Sequence, residues 1–156
     1  MNKIIESHLS NLDGRYLGDE ELQVFEDYLA SHQIRLNIYT FLQEKSNDLI
    51  LDVLREMTRS HRQVIQEHGE KCRRDMGYVL QFAAVSILRN DEAFFTEHLV
   101  LWMQNIMVAL KKEQQSAKAY RLLQQAVERQ LPSEEAELVN HYLNLFIEAL
   151  MVGAAA

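Results

Sequence analysis

Apolar residues recur at three- and four-residue intervals along nearly the whole chain, the period of a helix with one buried stripe. Between Asp19 and Glu44 the positions Leu22, Phe25, Leu29, Leu36, Tyr39 and Leu42 form such a stripe, so one long helix is predicted. Gly18 punctuates its start, and Asp19 offers an N-cap with acidic residues behind it. Ser46 or Asp48 then caps a second helix carrying Leu49, Ile50, Val53, Leu54 and Met57. Thr58 to Lys71 is polar and contains Gly69, which predicts a fraying helix end and a connection.

From Cys72 to Leu88 the pattern changes. Met76, Val79, Leu80, Phe82, Ala83, Ala84, Val85, Ile87 and Leu88 leave little polar face, so this helix is predicted to be buried on most sides. Asn90-Asp91 ends it and caps another helix through Leu99, Trp102, Met103, Ile106 and Leu110. A further helix runs from Ser116 through Tyr120, Leu123 and Val127. After Leu131-Pro132, Ser133 is the expected N-cap of a final helix through Leu138, Tyr142, Leu145, Ile147 and Leu150, with a fraying tail from Gly153 to Ala156. Six or seven helices around one buried helix, without heptads, predict a globin-like stack, with a four-helix bundle as the alternative.

Composition narrows the class. A chain of 156 residues holds one domain with a substantial core, and five glycines with one proline are too few for a turn-rich β fold. The net charge of −7, with basic and acidic residues intermixed, argues against a nucleic-acid partner. No run approaches the ~20 apolar residues that span a bilayer, and Met1 to Glu6 lacks the apolar core of a secretory signal. A single cysteine forms no internal disulfide. These features predict a soluble, cytoplasmic protein.

The chemistry concentrates in Lys71-Cys72-Arg73-Arg74-Asp75-Met76-Gly77-Tyr78. It joins a nucleophilic thiol to the cations of Lys71 and Arg74 and the carboxylate of Asp75, and Cys72 and Asp75 share a helix face. On an arbitrary protein the same residues would more often be a small buried hydrophobe beside a solvated helix end. Six histidines invite a metal or haem reading, but His61 and His68 lack further ligands at close spacing, and His98 is read as exposed. Phe94, Phe95, Trp102 and Tyr120 could line a ligand pocket, but aromatics at helical spacing are more often core, and that is the default reading. No Gly-rich phosphate loop or recognisable catalytic triad is present, so an enzyme is not expected.

The pattern Lys-Cys-x-Arg-Asp-x-Gly-Tyr resembles the chromophore-attachment segment of α-type phycobiliproteins, the bilin-carrying antenna subunits. Asp13-Gly14-Arg15-Tyr16-Leu17 followed by Glu21-Leu22 is similar to that family's N-terminal motif, and Asn140-x-Tyr142 with Glu148-Ala149-Leu150 to its final helix. The resemblance implies an all-α, globin-like phycobiliprotein fold over residues 18–152, preceded by a short N-terminal helical extension over residues 1–17. It implies a linear tetrapyrrole (a bilin such as phycocyanobilin) in thioether linkage to Cys72. Asp75 would face the pyrrole nitrogens, Lys71 and Arg74 the propionates, and Tyr78 the ring edge beside the small Gly77.

The same resemblance implies a role in light harvesting or energy transfer at the phycobilisome. It also implies assembly into a homo-oligomer or with another phycobiliprotein-like subunit through Asp13, Arg15 and Tyr16, at the cytoplasmic face of the thylakoid membrane. Two departures stand out. The stretch Arg62 to Lys71 is shorter than the family's loop before the cysteine, and Met107 stands where an aromatic is usual. They favour the alternative of a bilin-free assembly, degradation or regulatory adaptor.

Overall fold

The computed structural model describes residues 2–111 and 113–155, and among them the fold is all-α, the multi-helix class expected. Helices α1 (Lys3–Ser10) and α2 (Asp19–Ala30) precede two long helices, α3 (His32–Ser60) and α4 (Arg62–Arg89). A single turn, α5 (Glu92–Phe95), leads through a π-helical turn (Thr96–Val100) into α6 (Leu101–Leu110). Helices α7 (Glu113–Gln130) and α8 (Ser133–Ala155) complete the chain. The core forms where α3 packs along α4 and α7 along α8, with α3 and α7 also in contact. Ile38, Leu49, Leu80, Phe95, Leu123, Leu143 and Phe146 are among its most deeply buried side chains. None of the described helices is long and apolar enough to cross a membrane.

Several helix boundaries differ from those the sequence predicted. The stripe from Asp19 to Glu44 breaks at Ser31, where the buried guanidinium of Arg35 explains how a corner is tolerated. Arg35 is only 2% exposed. It donates to the carbonyls of Tyr28 and Leu88 and to Ser31 Oγ, and lies 4.2 Å above the Tyr28 ring. Carbonyls at the C-terminal ends of α2 and α4 thus meet a fixed cation, favourable to both helix dipoles.

No break occurs at Ser46 or Asp48. Ser46 bonds back to the Leu42 carbonyl and stays inside α3, as a mid-helix serine can. The polar stretch after Thr58 is likewise helical: His61 makes a one-residue corner, and α4 then runs unbroken through Gly69 and Cys72. Its exit matches expectation. Asn90 adopts the left-handed conformation, its N–H bonding to Ile87 O and that of Asp91 to Ser86 O, the paired bonds of a Schellman cap. Asp91 then caps α5 by accepting the Phe94 N–H.

The single helix expected from Asp91 to Leu110 is divided by the π turn. At the last boundary, the Pro132 carbonyl accepts the first helical bond, from Ala136, so Pro132 is the cap and Ser133 the first helical residue. The backbone of α8 continues to Ala155 and does not fray at Gly153, while Ala156 lies outside the described residues.

Helix α1 is tied to the far end of α4. Asn2 caps α1 through the Ile4 N–H and donates to the Asn90 carbonyl, and Lys3 reaches Glu97 at 2.9 Å. Ile5 is buried, whereas α2 buries no residue.

Candidate functional site

Positions 68, 72 and 75 follow the i, i+4, i+7 rhythm of a single helix face. On α4 this brings His68, Cys72 and Asp75 to one cavity of about 60 Å³. Met57 at the end of α3, Val64 and Met76 on α4, and Met107 on α6 form its apolar wall. Helix α7 closes it with Gln115, Ser116, Ala119 and Tyr120.

Two groups in this cavity lack good solvation. Burial pushes the Asp75 carboxyl above its ordinary range, against the opposing pull of the Arg74 and Lys71 charges. Arg74 Nε lies 3.7 Å from Asp75 Oδ1, a contact too long to replace lost water fully. The Tyr120 hydroxyl is buried with no hydrogen-bond partner among the described residues. Burial raises its pKa well above 10, with smaller contributions from the charges of Asp75 and Cys72. The ring itself is anchored edge-on against Phe146, with centroids 4.7 Å apart. A buried hydroxyl left without a partner costs about 1–3 kcal/mol, so this donor is poised for an acceptor in the cavity.

The helix distributes the other sequence-predicted residues elsewhere. Lys71 is exposed. Arg74, Gly77 and Tyr78 line a different space, a groove of about 480 Å³ shared with Tyr39, Leu42 and Gln43 of α3. A Cβ at Gly77 would meet nothing within 4 Å, so no close approach within the chain requires glycine there. Arg73, outside the predicted set, is held by Asn47 Oδ1 at 2.8 Å. The structure therefore brings Cys72 and Asp75 together and turns Arg74 and Tyr78 to another flank.

In the N-terminal segment, Asp13 and Gly14 both take positive φ in a tight turn. Arg15 forms a two-pronged pair with Glu21 at 2.7 and 2.8 Å, and Glu21 also accepts the Gly18 N–H. The Arg15 and Gly18 bonds hold the Glu21 carboxyl down at about 2. This bracing displays Tyr16 with 97% of its surface exposed.

His68 enters the sequence reading only as a metal ligand, although its spacing from Cys72 and Asp75 carries the signal. For Tyr120 both the core and the pocket reading apply: its ring is core, but its hydroxyl is not satisfied there. Trp102 is exposed and Phe95 packs against Tyr142, so neither lines the cavity. Among the described residues no group of three His, Cys, Asp or Glu side chains could hold a metal ion.

A thiol, an under-solvated carboxyl and an unpartnered hydroxyl suit one end of a linear tetrapyrrole, which offers an attachment carbon, N–H donors and carbonyl acceptors. Pockets that enclose a whole ligand of that size run to about 300–1,000 Å³. The cavity at Cys72 therefore has room for an end only. Comparison with known families gives a match to a model described as Phycobilisome protein, over residues 9–150. No curated protein matches the chain.

Proposed function

This chain belongs to the phycobilisome protein family, and on that premise we propose that it carries one bilin in thioether linkage to Cys72 and works in light harvesting or energy transfer at the phycobilisome. Members of the family are structural light-harvesting proteins and not enzymes. The observation that carries the reading is the convergence of Cys72, Asp75 and the Tyr120 hydroxyl on one cavity.

The bound group would supply the absorption of visible light; the chain supplies its anchoring and its charge environment. Cys72 fixes one end through sulfur. Asp75, starved of hydrogen-bond donors by burial, accepts from pyrrole N–H groups and stabilises their protonated form, a charge-assisted bond about twice as strong as a neutral one. Tyr120 donates to a carbonyl oxygen that enters the cavity. Lys71 and Arg74, on the exposed side of α4, are available to the propionates, Arg74 through its planar fork. Tyr78 borders the part of the ligand that the cavity does not enclose.

A second reading is favoured by one observation. The 60 Å³ cavity is walled by Val64 and His68, so helix stands where an open loop would have admitted a larger ligand. This supports a bilin-free adaptor acting in assembly, degradation or regulation. One experiment separates the two. The protein made in a bilin-synthesising host with attachment lyases should be coloured, keep its pigment on denaturation, and lose it in Cys72→Ala. A colourless product across several lyases, with Cys72 open to alkylation, establishes the adaptor reading instead.

Assembly forms part of the same proposal. Asp13, Arg15 and the braced, exposed Tyr16 contact a second copy of the chain or another phycobiliprotein-like subunit, at the cytoplasmic face of the thylakoid. Tyr16→Ser should shift the solution mass towards the monomer without loss of helicity. An unchanged mass excludes this contact.

A further inference from the structure

We infer that His68 is the general base for Cys72, making the pair a nucleophile that adds to a carbon–carbon double bond without help from another protein. The inference rests on the reading of Cys72 as an attachment point, and it goes further in naming how the sulfur is activated. His68 lies one helical turn before Cys72, an i, i+4 spacing that brings Cβ atoms to about 5–6 Å. Both side chains line the same cavity. A thiol is nucleophilic as thiolate, and a neighbouring imidazole is a common means of forming it.

The cavity independently points to a ligand, because the buried Tyr120 hydroxyl within it has no partner among the described residues. His68 is half-exposed and makes one long contact, with Glu67 Oε2 at 3.9 Å from Nε2. That carboxylate offers a counter-charge to the imidazolium formed on proton transfer. The other cavity neighbours are poorer bases. Met57 and Met107, reaching in from α3 and α6, hold no titratable proton, and burial favours the neutral form of Asp75.

The step balances without a redox partner. The Cys72 thiol gives its proton to His68, the sulfur bonds to the exocyclic carbon of an ethylidene group, and the π bond of that alkene breaks. The proton returns from His68 to the adjacent ring carbon. One S–C bond and one C–H bond replace one S–H bond and one π bond.

The test starts with the unloaded full-length chain and iodoacetamide, following alkylation of Cys72 against pH. Glu67, Lys71, Arg74 and Asp75 on α4 and Tyr120 on α7 are titratable groups near the pair, so the charge control is Glu70→Gln, an exposed residue of the same helix outside the cavity. In His68→Gln the rate at pH 7 should fall about tenfold and the profile should move towards that of an ordinary thiol, near about 8.5. Helicity should be unchanged, and Glu70→Gln should keep the native profile. A His68→Gln profile that overlays the native one overturns the inference.

A second arm mixes each protein with free phycocyanobilin and no lyase. Denaturation-stable pigment in the native chain, slowed in His68→Gln and absent in Cys72→Ala, supports both claims. A profile that depends on His68 with no pigment attached upholds the base and removes the bilin reading. Pigment attached at equal rates in the native chain and His68→Gln removes the base and keeps the bilin reading.

Discussion

The two halves of α4 share one backbone and little else. From Met76 to Ile87 the helix buries Met76, Val79, Leu80, Ala83, Ala84, Ser86 and Ile87, whereas from Arg62 to Asp75 it buries nothing completely. The later half is fixed by its fully buried side chains; the earlier half touches the core through the partly buried Ile65 and is tied to α3 by the Arg73–Asn47 bonds. Cys72 and Asp75 lie on the border, respectively one turn and one residue before Met76, the first buried residue of the helix. A side chain there inherits a precise position from the buried half, while the wall that covers it, with Val64 and His68, belongs to the less buried one.

Core substitutions should break this comparison most forcefully. Leu80→Ala removes a side chain with no exposed surface and should cost about 2–5 kcal/mol in urea unfolding. Val64→Ala, on a half-buried wall, should cost no more than about 1 kcal/mol. Equal costs would mean that the first half is as firmly packed as the second.

Hydrogen exchange sharpens the contrast without mutation. Amides from Val79 to Ile87 should exchange through global unfolding, and those from Val64 to Cys72 at least about 100-fold faster through local opening. Uniform protection along α4 would remove any route by which a large ligand enters the cavity.

Asp75 gives a smaller effect at the border itself. Its pKa is raised by burial, so its neutral form is the better tolerated one in the folded chain. That contribution is present below the ordinary carboxylate value and is lost as pH rises through the raised one, where Arg74 and Lys71 compensate the charge only in part. Asp75→Asn should therefore raise the melting temperature of the unloaded protein at pH 7 by a few degrees, as read by circular dichroism. In the pigment-bearing protein the same change should shift the red absorption to shorter wavelength and weaken it. An unaltered spectrum would show that Asp75 does not face the ring nitrogens.

The smallest expected change lies far from α4. Glu21 titrates at about 2 instead of 4.5, so its link to Arg15 and Gly18 holds above 4.5 and is lost as pH falls towards about 2. The Gly18 amide resonance should follow this window while α4 signals stay fixed, and Glu21→Gln should abolish the dependence. A Gly18 resonance that moves only on global acid unfolding would show that the link does not brace the Tyr16 loop.

Much of the fold could be read from the sequence, because buried stripes declare themselves. The apolar run after Cys72, the Asn90-Asp91 exit and the boundary near Pro132 were all visible in residue type. Two kinds of feature were not. Polar residues can build helix without an apolar stripe: Arg62 to Lys71 is rich in good helix formers, and Gln63 bonds Glu67 one turn on, so it extends α4 where hydrophobic periodicity predicted a connection. A buried polar atom can also satisfy backbone that pattern reading assigns to a cap. Ser46 does so within α3, and Arg35 does so at the corner that splits the first predicted helix.

At the site, periodicity placed Cys72 and Asp75 on one face, and that held. It gave no account of what lay opposite. Tyr120 comes from a helix some fifty residues later, and only tertiary packing brings its hydroxyl to the thiol.

The N-terminal tethers have a further consequence. Asn2 holds the Asn90 carbonyl and Arg35 the Leu88 carbonyl, both at the C-terminal end of α4, while Lys3 reaches past it to Glu97 in the π-helical turn. Cys72 lies on the same unbroken helix, about 25 Å back along it at 1.5 Å per residue. Helix α4 is thus a ruler, with the Cys72 sulfur at one mark and the tether of the N-terminal arm at the other. Its length is written as a residue count. One residue inserted between the marks would lengthen it by about 1.5 Å and turn the sulfur by about 100° relative to the arm. Distance and orientation between Cys72 and the N-terminal arm are therefore set together, by a single stretch of sequence.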